Sequence, residues 1–166
     1  MNPKSLQNQA LNMFGNTWRS QRTGLKFKAL SNGDNSNMIR TQLNIDVQLG
    51  DIVLEDQGPS VPAAQYFCTD LQQDNAAKYI SIFPVTHALT NSTTGETLTA
   101  HLGSHTPAGP TDQAGFSSTP ATFTFWIPAT FSLSIGDHYT TAQGTNLRVA
   151  RVIPTDNNGL RVIMNA

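Results

Sequence analysis

The stretch Val47-Gln48-Leu49-Gly50-Asp51-Ile52-Val53 is answered later in the chain by Leu133-Ser134-Ile135-Gly136-Asp137-His138-Tyr139, with the two Gly-Asp pairs 86 residues apart (50 to 136). In both, an apolar residue leads into Gly-Asp and a short strand-like alternation follows. The first stretch continues into Tyr66-Phe67-Cys68-Thr69-Asp70-Leu71 and Tyr79-Ile80-Ser81-Ile82. The second continues into Leu147-Arg148-Val149-Ala150-Arg151-Val152 and Leu160-Arg161-Val162-Ile163. These later segments keep a constant offset of 81 (66 to 147, 79 to 160), so the first copy carries the longer hairpin loop. A strand, Gly-Asp and hairpin unit used twice is the reading that decides the fold.

Gly-Asp has a physical reason to recur. Glycine adopts the positive φ of a tight turn without a Cβ clash, and aspartate accepts hydrogen bonds from nearby backbone N–H groups. Gly50, Asp51, Gly136 and Asp137 are therefore assigned as structural turns, with Leu49 and Ile135 plugging the barrel end beside them. Alternation with polar neighbours predicts burial of Leu49, Tyr66, Cys68, Ile80 and Ile82, and of Ile135, Leu147, Val149, Val162 and Ile163. The expected fold is mostly β: an antiparallel β-barrel or sandwich with a duplicated unit, a short N-terminal helix and a long inserted loop.

The 166 residues suit one compact domain or two small ones, and only 13 % are charged. Abundant Thr fits strands, and Asn, Gly and Ser fit turns. No apolar run approaches the roughly 20 residues that span a bilayer, and the N-terminus shows no signal-peptide core, so the expectation is a soluble chain made in a cytoplasm with no membrane partner. Cys68 is the single cysteine, which excludes an intrachain disulfide and a Cys-rich zinc site, and Tyr66-Phe67-Cys68 reads it as a small buried apolar group.

Charge is unevenly spread along the chain. Residues 1–40 hold six cations against Asp34, or +5; residues 41–137 hold Lys78 against nine carboxylates, or −8; residues 138–166 hold three arginines against Asp156, or +2. Such opposed fields steer subunits into contact. Arg19, Arg22, Lys26 and Lys28 are the resulting interaction candidates. The cations are sparse and have only Trp18 and Phe27 as interleaved aromatics, so no sequence-specific nucleic-acid binding is expected.

Along the chain, residues 4–14 place Leu6, Ala10, Met13 and Phe14 at helical spacing, and Gly15-Asn16 stops the helix. Trp18 to Leu30 reads as an edge strand with Leu25, Phe27 and Ala29 on one face, and Ser31 to Asn37 as a loop. The organisation is a helix and basic arm over 1–40, a first β unit over 41–87, an extended arm over 88–121 and a second β unit over 122–166. The arm is rich in Gly, Pro, Ser and Thr, and Leu98, Leu102 and Phe116 are its expected anchors on a neighbouring subunit.

The pattern of apolar residue, Gly-Asp, hairpin and apolar strand, at residues 41–84 and 122–166, resembles the small β-barrel neck proteins of tailed bacteriophages. These are the connectors, stoppers and collars below the portal. The resemblance implies a structural virion protein in the head-to-tail neck. Its partners would be copies of itself in a ring, twelvefold to match the portal, together with portal or adaptor and tail proteins. Packaged DNA would pass nearby.

Catalytic and metal readings find little support. His101 and His105 have metal-ligand spacing for a helix, but Gly103 and Pro107 oppose one. His87 and His138 lack a third partner. Asp51 and Asp137 form a conceivable carboxylate pair, yet their turn role already explains them. No phosphate-binding glycine loop or nucleophile elbow is present. The chain is read as a non-enzyme without cofactor or metal. The alternative is a β-sandwich binding module, a capsid decoration or carbohydrate-binding protein, for which Trp18 and Trp126 are the available indoles.

Overall fold

The computed structural model describes residues 3–32, 35–109, 119–156 and 159–166. The chain forms two compact units, Met1–Pro84 and Val85–Ala166, and helix α1 (Pro3–Phe14) opens the first of them. The first contains β1 (Asn16–Ser20), β2 (Lys26–Asn32), β3 (Asn35–Thr41), β4 (Ile52–Glu55), β5 (Ala64–Gln73) and β6 (Lys78–Pro84). The second contains β7 (His87–Asn91), β8 (Thr97–Thr106), β9 (Thr122–Pro128), β10 (His138–Thr141), β11 (Asn146–Thr155) and β12 (Gly159–Asn165). Each set closes into an antiparallel six-stranded barrel. The orders are β1-β2-β3-β6-β5-β4, closed by β4 on β1, and β7-β8-β9-β12-β11-β10, closed by β10 on β7. The two orders are the same topology.

Register makes the equivalence residue by residue. Trp18 opposes Phe27 as Leu89 opposes Leu98, 71 residues on. Ile39 opposes Ile80 as Phe125 opposes Val162. Val53 opposes Tyr66 as Tyr139 opposes Leu147. Both barrels break register at the same point of the β5–β6 and β11–β12 ladders, between Cys68 and Asp70 and between Val149 and Arg151. A bulge adds twist and re-aims the side chains beyond it, so its recurrence marks copied geometry. The equivalent interiors are Trp18, Phe27, Ile39, Val53, Cys68 and Ile80 in one barrel and Leu89, Leu98, Phe125, Tyr139, Val149 and Val162 in the other. Burying each large apolar side chain contributes about 1.5–3 kcal/mol.

The duplication therefore covers both units whole, and several expectations change. Residues 1–40 are no arm: β1, β2 and β3 make half of the first barrel. Residues 88–106 of the expected arm are part of the barrel, because β7 and β8 carry Leu89, Leu98 and Ala100, all at 3 % exposure or less, into the second core, while residues 110–118 of it lie outside the described residues. Thr90, Thr97 and Thr99 alternate with those residues on the outer face, and this polar half gave the stretch its loop-like composition. Trp18 to Leu30 is a hairpin of two strands without a free edge, and Leu25 sits exposed at its turn.

Cys68, Ile80, Ile82, Leu147, Val149 and Val162 are buried as expected, and Leu49 and Tyr66 are half-buried against the first core. Ile163 is half-buried, opposite Arg151, while Val162 and Met164 on either side of it enter the core. Ile135 is 71 % exposed, because it occupies the outer corner of its turn while Leu133 packs inward. The plug is thus Val47 and Leu133, three residues before each glycine. The last strands align Ile80 with Val162 rather than with Arg161, since the β11–β12 hairpin tip is one residue longer. Among the described side chains of α1, Leu11 is buried, and Leu6, Met13 and Phe14 are 48 %, 67 % and 70 % exposed. Gly15 ends the helix by donating its N–H to the Leu11 carbonyl at 2.9 Å. A Cβ on Gly15 would strike that same oxygen.

Candidate interaction surface

The two Gly-Asp turns are built from the same bonds. Gly50 N–H donates to the Cys68 carbonyl at 2.8 Å, and Gly136 N–H to that of Val149 at 2.8 Å. Cys68 and Val149 return N–H bonds to the Asp51 and Asp137 carbonyls. Each aspartate carboxylate accepts the N–H three residues earlier, Gln48 at 2.9 Å and Ser134 at 2.8 Å. Gly50 and Gly136 have φ of +84° and +96°, where a Cβ is strained. The turns clip the start of β4 and β10 onto β5 and β11, which is a structural role.

Asp51 does more than Asp137. The Arg22 guanidinium donates from Nε to both its oxygens, at 2.9 and 3.0 Å, and from Nη2 to Asp46 at 3.0 Å. The two carboxylates push the Arg22 pKa up, the hydrogen bond to Asp51 contributing most. Asp51→Ala is expected to cost more than the same change at Asp137, because it loses a charge-assisted pair as well as the capping bond. Asp137→Ala, which loses the capping bond alone, should cost about 1 kcal/mol. Denaturant melts of both variants measure the difference, and Arg22→Ala should remove it.

This pairing withdraws Arg22 from any partner. Lys28 is also engaged, donating from Nζ to the Gly15 carbonyl at 3.2 Å and the Thr17 hydroxyl at 3.0 Å. The charge segregation dissolves in the fold: residues 1–84 hold seven cations and seven carboxylates, net 0, and residues 85–166 hold three and four, net −1.

Arg19 and Lys26 differ from these two. They oppose each other directly on the outer face of β1 and β2, and neither makes an ion pair among the described residues. Like charges directly opposite are destabilising. The equivalent pair in the second barrel is Thr90 and Thr97, whose hydroxyls bond at 3.0 Å. Arg19 and Lys26 line a depression of about 290 Å³ with Leu54, Asp56 and Val61. Among the described residues, the exposed large apolar side chains Leu6, Met13, Phe14, Leu25 and Val61 all belong to this unit, against Ile135 in the other.

Two of the three expected arm anchors, Leu98 and Leu102, are in the barrel and not on a docking surface. Leu98 is 3 % exposed in the second core, and Leu102 packs against that core. Phe116 lies outside the described residues. A register shift at Gly103 separates the two histidines. His101 opposes Trp126 on the outer face, and His105 opposes Phe123 and stacks on it with centroids 4.4 Å apart. The pair therefore points to opposite sides of the strand. His87 sits edge-on to Phe125 at 5.5 Å, and burial lowers its pKa, with His101 adding to the effect.

Burial pushes the Cys68 thiol pKa up to about 12. The thiolate is the reactive form. A thiol-specific reagent at mildly alkaline pH should thus leave native Cys68 unlabelled and label it fully in denaturant. Labelling in the native state would contradict its interior position.

No protein-family model, curated protein or solved structure matches the chain.

Proposed function

We propose that this chain is a structural protein of a tailed-phage neck, a ring-forming collar, adaptor or stopper whose barrels build the wall around the DNA channel. The observation that carries the reading is the one-sided exposure of Leu6, Met13 and Phe14 on α1, with Leu25, Val61 and the unpaired Arg19 and Lys26 in the same unit. Large apolar side chains grouped on a surface mark a site that another protein covers. Arginine and apolar residues together are the composition of interface cores. A ring supplies such cover without a second gene product, since each copy docks head to tail on the next. The resemblance of the Gly-Asp units to neck proteins gives the ring its place in a virion, where portal or adaptor and tail proteins would flank it.

The carbohydrate-binding alternative loses its platform, because Trp18 and Trp126 are 3 % and 7 % exposed. Light scattering across protein concentration, followed by electron microscopy of the assembled fraction, tests the ring. The expected result is a discrete oligomer with a central channel, lost in Leu6→Ser/Met13→Ser/Phe14→Ser while the barrel circular dichroism persists. A monomer at every concentration, or an oligomer indifferent to the triple substitution, would refute the reading.

A further inference from the structure

Among the described residues, the carboxylates of the second barrel are sorted away from its strands. Strands β8, β9, β11 and β12 contain no Asp or Glu, and Glu96, Asp137 and Asp156 all lie in turns. The same strands carry Arg148, Arg151 and Arg161, all exposed. Alternation fixes their side. Leu147, Val149, Val162 and Met164 enter the core, which turns Arg148 and Arg161 outward, and the bulge after Val149 returns Arg151 to the outer face. Arg151 opposes Ile163, so Arg161, two residues before Ile163, is its diagonal neighbour at about 7–8 Å. Arg148 opposes Asn165 on the same side.

None of the three arginines makes a hydrogen bond or ion pair among the described residues. Their counterparts in the first barrel, by register, are Phe67, Asp70 and Tyr79. At these three positions one copy of the duplicated sheet therefore carries guanidinium groups with no partner among the described residues, and the other copy carries no arginine there. Three repelling cations held on one face are stabilised by a ligand carrying several negative charges. Guanidinium forks fit the paired oxygens of a phosphate. Ser104 and Thr124, which oppose each other in the row that continues to Ile163 and Arg151, offer hydroxyl donors beside them.

We propose that the outer face of β8-β9-β12-β11 binds the phosphate backbone of nucleic acid without reading its sequence. This binding face lies wholly on the second barrel, so it holds whether or not the first barrel docks on a neighbour. Each phosphate neutralised on duplex DNA contributes about −0.9 to the slope of log affinity against log salt, so three contacts give about −2.7.

The test is fluorescence anisotropy with the full chain and end-labelled DNA, two unrelated duplexes and one single strand, across a series of salt concentrations. Both duplexes should bind equally and with the stated slope. Arg148→Gln/Arg151→Gln/Arg161→Gln should weaken binding at least tenfold and flatten the slope. The corresponding Lys triple, which keeps charge and loses the fork, should keep the slope with an intermediate loss. Absence of binding at the lowest salt, or binding that survives the Gln triple in a chain with unchanged circular dichroism, would overturn the proposal. Displacement by polyglutamate as effective as by unlabelled DNA would also overturn it and point to an acidic protein partner.

Discussion

Deletion of residues 91–118, bridged by a short Gly-Ser link, is expected to unfold the second barrel. By composition alone the stretch reads as an arm, whose removal a monomer would tolerate because loop length costs little. The fold reverses that expectation. The deletion removes all of β8 and the end of β7, and with them the ladders that join β7 to β8 and β8 to β9. It takes Leu98 and Ala100 out of the core and leaves β7 and β9 as open edges. The loss exceeds the lower end of the roughly 5–15 kcal/mol that holds a small domain. Circular dichroism of the deleted chain should show about half the strand signal lost. A full strand signal with cooperative melting would return residues 91–118 to the status of an arm.

Phe125→Ala should be the most costly single truncation in that barrel. Phe125 is 1 % exposed, opposes Val162, and has His87 edge-on to it and Phe123 stacked with centroids 6.2 Å apart. Removing a buried phenyl ring costs about 3–5 kcal/mol through lost transfer energy and the cavity left behind. For a unit of this size each kcal/mol lowers the melting temperature by about 4–8 °C. Amide exchange in β8 to β12 should accelerate to match. A cost below about 1 kcal/mol would mean that Phe125 is not the counterpart of Ile39 at the centre of a closed core.

What the sequence displayed of this fold depended on how demanding each local geometry is. The β4–β6 and β10–β12 halves were legible because a positive-φ turn capped by a carboxylate restricts two adjacent positions to Gly and Asp, and Gly50-Asp51 and Gly136-Asp137 are close to the only residues that meet it. The β1–β3 and β7–β9 halves share no such constraint. Their common turn is only Thr23-Gly24 and Thr94-Gly95, with φ of +71° and +75° at the glycines. Around it, Trp18 and Phe27 in one copy became Leu89 and Leu98 in the other, set among threonines.

The interaction candidates were read from charge order along a line, and the line was cut between residues 40 and 41. The barrel folds both sides of that cut together and pairs Arg22 with Asp46 and Asp51. Arg19 and Lys26 stand out only against the second copy, where Thr90 and Thr97 occupy the same positions and bond to each other. The three-arginine face was hidden for a related reason: its separation from acids is a property of strand faces and turns, not of sequence neighbourhood.

Closure of both barrels is the claim on which the rest depends. It is tested by cross-strand nuclear Overhauser effects in the intact chain at the two closing seams. Backbone proton contacts between Trp18 and Glu55, and between Asn91 and Tyr139, are expected together with slow amide exchange along both seams. Contacts at one seam alone, or fast exchange along β1 and β7 with contacts at neither, would contradict a six-stranded barrel built twice.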